Sequence, residues 1–278
     1  MNKKKIALIG GAGFIGHNLA LALKKRGHIP IVIDSLSVNN MLSFTDKEIK
    51  NRKLYWSILN QRMDLLHDSD IEINVEDARN YNVMSMLLGE VKPDVIVQLA
   101  AVSHANKSNK DPHTTFDHTL RTLENTLDIA KSYGSHFIYF SSSMAYGHFD
   151  GKSVDENTQC NPLGIYGTLK YSGELIVKAY HRVFNIPYTI VRPSALYGER
   201  CVSRRVSQIF IENASNYQIN HGQAVTLGAM PISVGGGGVG RQPAGPVSGR
   251  GGNSVFGSIT STGGGGGSFG DGTPTGPT

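Results

Sequence analysis

The stretch Ile6-Ala7-Leu8-Ile9-Gly10-Gly11-Ala12-Gly13-Phe14-Ile15-Gly16 constrains the fold more than any other part of the chain. An apolar run too short to span a membrane meets a cluster of glycines, and an amphipathic pattern comes directly after them. This predicts a strand, a tight turn and a helix whose first amides are left free. Such amides, at the positive end of the helix dipole, suit a phosphate. Glycine is needed there because a side chain would hold the phosphate away from the backbone. Two spacings fit: Gly11, Gly13 and Gly16 read as GxGxxG, and Gly10, Gly13 and Gly16 as GxxGxxG. By itself the motif is weak, and a glycine-rich turn that binds nothing is the plain alternative.

The next thirty residues strengthen it. Ile15, Leu19, Ala22 and Leu23 recur at helical spacing, Lys24, Lys25 and Arg26 occupy the last turn, and Gly27 stops the helix. Ile29 to Ile33 predicts a second buried strand ending at Asp34. An aspartate at that point accepts the hydroxyls of an adenosine ribose and repels a 2′-phosphate, which favours NAD over NADP. A turn-forming role for Asp34 is the alternative. Residues 37–70 are the least legible ordered part, although Leu54, Ile58, Met63 and Leu65 suggest a helix or two in an insertion. Ile71, Ile73 and Val75 alternate as a short strand. A helix over 81–88 ending at Gly89 and a β-branched strand, Val95 to Ala101, come next. Asp111-Pro112 predicts a helix start. Phe116, Leu120, Leu123, Leu127 and Ala130 then read as one long helix over 112–132 that ends near Gly134. Strands at 137–140 and 187–191 flank a second long helix marked by Leu169, Gly173, Ile176, Tyr180 and Val183. Repeated strand–helix units predict a doubly wound parallel sheet, an α/β Rossmann fold, with ligands beyond the carboxyl ends of the strands.

Several classes are disfavoured. The net charge of +5 comes with no basic run interleaved with aromatics, so no nucleic-acid partner is expected. Two cysteines, Cys160 and Cys201, form no CxxC pair and fit a reducing cytoplasm, and no membrane span or signal segment is expected. The histidines include no HExxH, so no metal site is expected. Cys201 reads as structural despite its arginine neighbours. From Pro231 onward more than half of the chain's 33 glycines are concentrated with almost no charge and no sustained period. Such a segment buries too little apolar surface to offset the entropy of ordering it. The expected organisation is a Rossmann domain over 1–200, the start of a substrate lobe over 201–228, and a glycine-rich, disordered or non-native tail over 229–278, with a truncation, frameshift or fusion junction near 228–231.

The most informative spacing is Tyr166-Gly167-Thr168-Leu169-Lys170. Four residues apart, Tyr166 and Lys170 share one helix face. A phenol with a pKa near 10 is a poor base, and a nearby ammonium favours its phenolate. Ser142, at the tip of the preceding strand, is placed to hydrogen-bond the oxygen that gains or loses a proton. Tyr-xxx-Lys alone is common by chance; the order of glycine turn, Asp34, serine strand end and Tyr-xxx-Lys is not.

In that order the chain resembles the extended short-chain dehydrogenases, specifically the NAD-dependent epimerase/dehydratase family, over roughly residues 5–228. Pro93 to Ala101, Ser142-Ser143-Met144-Ala145-Tyr146-Gly147 and Arg192-Pro193-Ser194-Ala195-Leu196-Tyr197-Gly198 match as well. The resemblance implies that Gly10, Gly13, Phe14, Ile15 and Gly16 hold the pyrophosphate of NAD. It implies that Asp34 takes the adenosine ribose, Asp77 and Ala78 the adenine, and Leu99, Ala100 and Ala101 the cofactor midsection. Lys170 would hold the nicotinamide ribose, Tyr166 would be the acid/base, and Ser142 would orient the substrate oxygen. Ser103, Ser142, Ser143, Ser194 and Arg200 are the implied substrate contacts, although a solvated basic face explains Arg200 about as well. The implied activity is epimerisation or oxidoreduction of a sugar, usually a nucleotide-sugar, through transient C4 oxidation. A non-catalytic NAD-binding module, or a reductase or dehydratase of the same family, is the alternative. The acidic pair that serves elimination in the dehydratases is absent at Ser143 and Met144. Two of the family's usual asparagines are replaced here: His118 stands where the asparagine links backbone and active-site water, and Ala195 where its amide contacts the substrate diphosphate, which weakens the expectation of a nucleotide diphosphate on the substrate. A homodimer through the two long helices is implied by the resemblance only.

Overall fold

The computed structural model describes residues 2–45, 48–49, 51–102, 105–148 and 153–202, and three short strands at 232–233, 254–256 and 259–261. Six strands, β1 (Lys5–Ile9), β2 (Ile29–Ile33), β3 (Glu72–Asn74), β4 (Val95–Gln98), β5 (His136–Phe140) and β6 (Tyr188–Val191), pair in parallel in the order β3-β2-β1-β4-β5-β6. This is the doubly wound sheet that the alternating pattern predicts. Its central strands are buried on both faces, so their period of two divides the side chains between two cores. Ala7 and Ile9 join Ile31, Ile33, Ile96, Phe137 and Tyr139 in one, while Ile6 and Leu8 join Val32 and Val97 in the other.

The helices are α1 (Phe14–Lys25), α2 (Arg52–Asp68), α3 (Tyr81–Val91), α4 (Ala105–Lys110), α5 (Pro112–Phe116), α6 (Thr122–Tyr133) and α7 (Ile165–Phe184). Four sequence expectations are corrected. Gly89 does not stop α3, which runs on to Val91 and ends on Lys92 in the left-handed region, φ 47°. The helix expected over 112–132 is interrupted by a π-helical turn, Asp117–Arg121. That extra residue per turn shifts the apolar phase, and Phe116 is left exposed. Val183 is also exposed: the buried face of α7 is Leu169, Lys170, Gly173, Glu174 and Val177. The insertion holds a 3₁₀ turn, Met41–Phe44, and one long helix, α2. Its fully buried face is Tyr55, Leu59, Arg62 and Leu66; of the expected apolar positions Ile58 and Met63 pack beside it, while Leu54 points outward.

By internal contacts the chain divides into two compact units, Met1–Ile211 and Glu212–Thr278. In the second, Ile232–Ser233 (β7), Ser254–Phe256 (β8) and Ile259–Ser261 (β9) pair antiparallel in that order. Most of the expected start of a substrate lobe, residues 203–228, lies outside the described residues. Among the described residues no helix is long and apolar enough to cross a membrane.

Candidate active site

The strand order reverses between β1 and β4, and a parallel sheet opens a crevice at the carboxyl ends of such a pair. Gly10 makes that junction possible. It sits at φ +80° with its amide on Ile33 O at 2.7 Å, and a Cβ there would stand 2.7 Å from Ala100 N. Gly16 closes the other side, since its Cβ would lie 2.4 Å from Gly11 O. A Cβ on Gly11 would meet Leu8 O at 2.7 Å and Val32 Cγ1 at 3.1 Å, so Gly11 serves the packing of the turn onto the sheet. Gly10, Gly13 and Gly16 line the cleft and Gly11 does not.

Gly13 is the N-cap of α1 and supplies no side-chain cap, and the first turn carries no acidic residue. Phe14 and Ile15, which open this helix, line the cleft, and the first amides of a helix without a side-chain cap suit an anion. Asp34 stands at the end of β2, where its Oδ2 accepts from Ala12 N at 3.0 Å and its Oδ1 from Leu36 N at 2.7 Å. Burial raises its pKa against the pull of these amides. The cleft, about 360 Å³, is lined also by Asp77, Ala78, Leu99, Ala100, Ala101, Ser142, Ser143, Tyr166, Lys170 and Ser194. Every expected cofactor residue and three of the five expected substrate residues thus converge on one cavity.

At its inner end, Ser142 is buried at the tip of β5, where its Oγ accepts from Met144 N at 3.2 Å and caps a 3₁₀ turn, Ser143–Ala145. Ser143 N donates to Pro193 O at 3.0 Å, which ties this turn to the end of β6. Lys170 is 4% exposed; its Nζ donates to Phe140 O at 2.7 Å and stands 5.3 Å from the Tyr139 ring centroid. Burial lowers its pKa to about 8. The ammonium therefore persists at neutral pH and is lost above it. Beneath lies a buried network: Glu174 accepts from Arg192 Nε at 2.8 Å and Nη2 at 2.7 Å, and from Ser141 Oγ at 2.5 Å.

At the outer end, Asp77 is engaged by Arg79 at 2.6 Å, which holds its carboxyl below the usual carboxylate range. Arg79 also pairs with Asp117 at 2.8 Å. The π-helical turn brings His118 to the cleft wall, and burial lowers the pKa of its imidazole. Arg200 is not at the cleft wall. Its Nε donates to His17 Nε2 at 3.0 Å, its Nη2 to Asn18 Oδ1 at 3.1 Å and its Nη1 to Glu199 at 3.0 Å. Ser103 lies outside the described residues. Among the described residues no cluster of His, Cys, Asp or Glu is suited to a metal.

The chain matches the model of the NAD dependent epimerase/dehydratase family over residues 6–238. It belongs to that family. Family relatives include Protein CapI of Staphylococcus aureus, 32% identical over 197 residues, which cover 70% of this chain and 54% of that protein. A putative UDP-glucose 4-epimerase of Methanocaldococcus jannaschii is 30% identical over 203 residues, covering 70% and 57%. The chain spans about half the length of the curated relatives it matches. Among solved family structures, UDP-glucuronic acid 4-epimerase from Bacillus cereus in complex with UDP-glucuronic acid and NAD aligns with a TM-score of 0.64 at 26% identity, over 76% of this chain and 63% of that one.

Two residues of the site region carry no local sequence signal. One is Arg62 of α2, which lines the cleft from the insertion. The other is His17, fully buried in α1; its ring accepts from Arg200 through Nε2, so its Nδ1 carries the proton it gives to Gly13 O at 2.9 Å. Burial lowers its pKa from 6.5 to about 4. Below pH 6.5 the unfolded chain takes a proton that the folded one refuses, so His17 lowers stability as pH falls from 6.5 to 4 and no further below that. The expected loss is on the order of 3 kcal/mol. In denaturant titrations at pH 4.5 and 7, His17→Gln is expected to flatten the difference; an unchanged difference would remove His17 as its source.

Proposed function

We propose that this cleft binds NAD and uses Ser142, Tyr166 and Lys170 to oxidise a sugar hydroxyl transiently, as a nucleotide-sugar epimerase does. The observation that carries the reading is convergence: the uncapped N-terminus of α1, Asp34 and the Ser142–Tyr166–Lys170 set open into a single cavity. The residues fit the cofactor. Gly13 meets nothing within 4 Å on its Cβ side except Gly10 O at 3.2 Å, which leaves the cradle open for a pyrophosphate against the first-turn amides. Asp34, anchored by two amides, has lone pairs left for ribose hydroxyls. When bound, NAD supplies the hydride acceptor and, once reduced, the hydride donor.

The protein's own part is proton transfer and positioning. Tyr166 Oη takes the proton of the sugar hydroxyl as hydride leaves the same carbon, so the C–O bond becomes a carbonyl. It returns that proton when hydride comes back to the opposite face. Lys170, desolvated but still cationic at neutral pH, favours the phenolate form of a tyrosine one helical turn away. Ser142 donates its hydroxyl to the substrate oxygen while its own lone pair is used by Met144 N. With Ser143 and Met144 at the cleft wall in place of carboxylates, elimination of water has no acid/base pair, which supports simple epimerisation or oxidoreduction.

The test is reduction of NAD by a panel of UDP-, GDP-, CDP- and dTDP-sugars, read as nicotinamide absorbance, with products resolved by chromatography. An epimeric sugar from one member of the panel is the expected result. NAD binding without reduction by any sugar would favour a non-catalytic module, and release of water from the sugar would overturn the subtype.

A further inference from the structure

We propose that Arg62 is a cofactor-specificity residue: its free Nη1–H reaches the 2′-position of the adenosine ribose beside Asp34, so that this cleft tolerates a 2′-phosphate which Asp34 alone would repel. The inference rests on the reading that the cleft holds NAD.

Arg62 interrupts an otherwise apolar row, Tyr55, Leu59 and Leu66, on the buried face of α2, and is itself 1% exposed. Two of its donors are accounted for: Nε and Nη2 give to Arg200 O at 3.0 and 2.5 Å. The third nitrogen, Nη1, is buried with no hydrogen-bond partner, one of three such side-chain atoms among the described residues. A guanidinium in that state is costly, since an unmade bond from a buried charged donor forfeits more than a neutral one. No carboxylate pairs with it directly: among the described residues Arg62 takes part in no ion pair. Yet it lines the same cleft as Asp34, close enough for the two charges to attract. Ser35, Val38 and Asn39, just beyond β2, complete that rim.

An oxygen of the adenosine half of the cofactor satisfies all of this. A ribose hydroxyl that donates to Asp34 retains lone pairs for Arg62. A phosphate ester at the same oxygen gives up the bond donated to Asp34 and meets its repulsion, and a charge-assisted bond to Arg62 offsets both. The guanidinium comes from the inserted helix α2, not from the loop directly after β2, and is held by the Arg200 carbonyl, close to where Val202 packs on Tyr55 and Leu59.

Calorimetric titration of the full chain with NAD and with NADP tests it, in wild type, Arg62→Met and Arg62→Lys. Arg62→Met is expected to weaken NADP at least about tenfold more than NAD, the worth of one charge-assisted bond. Arg62→Lys, which keeps the charge, is expected to retain NADP binding. A loss shared equally by both cofactors overturns the proposal and leaves Arg62 as a clamp between α2 and Arg200. Should Arg62→Met fail to fold by circular dichroism, the wild-type ratio decides. NADP within about a hundredfold of NAD supports the proposal and weaker binding overturns it. Failure of wild type to bind either dinucleotide would instead refute the reading of the cleft itself, and this inference with it.

Discussion

Tyr166→Phe is expected to lower sugar-dependent NAD reduction by about 10²–10⁴-fold while leaving NAD affinity within a few-fold of wild type. The substitution keeps the ring and removes only Oη, the one atom the mechanism asks to move a proton. Lys170 cannot take over, because its Nζ is bound to Phe140 O and enclosed under Tyr139. Ser142 cannot either, since a hydroxyl is a far weaker base than a phenolate held beside an ammonium. Measuring kcat and the NAD dissociation constant on the same preparation separates chemistry from binding. A variant that reduces NAD at the wild-type rate would remove Tyr166 from the mechanism; one that loses NAD binding as well would point to a structural defect.

Glu174→Ala carries the second large effect, on stability. Glu174 is fully buried and bridges Arg192, whose side chain is 14% exposed, to Ser141 at the end of β5. Removing the carboxylate strands the guanidinium, which costs about 3–5 kcal/mol, a large fraction of a typical domain's stability. Replacing both partners with leucine is expected to recover much of that loss, because no uncompensated charge is left. Chemical denaturation of the three forms checks this; an alanine variant within about 1 kcal/mol of wild type would show that the pair contributes little. Because Ser141 precedes Ser142, the same variant is expected to slow NAD reduction even at temperatures where it stays folded.

Most of the sheet and one wall of the cleft were legible from local signals. Apolar runs bounded by glycine and proline marked β1, β2, β4 and β5, and lysines before Gly27 marked the end of α1. The turn residues and the Tyr166–Lys170 spacing are local too, since they lie on one strand–turn–helix unit or one helix face. Where local signals failed, the deciding contact lay far away in sequence or the pattern had two solutions. The π-helical turn at Asp117–Arg121 cannot be told from an α-helix by apolar spacing, because Phe116, Leu120 and Leu123 step by four and three in either case. Arg62 reads as one more solvated arginine; what buries it is Arg200 O, 138 residues away.

By itself the sequence determined that this chain folds as strand–helix repeats around a phosphate-sized turn, with an acid, a serine, a tyrosine and a lysine at strand and helix ends. Those features depend on backbone conformation and on neighbours within a turn or two. Only the tertiary structure decided which glycines face the cleft, that Arg200 braces His17 and α1 instead of lining it, and that a buried arginine stands beside Asp34. Each of those outcomes is a burial or pairing between segments distant along the chain, and the desolvation that gives it force appears only once the segments meet.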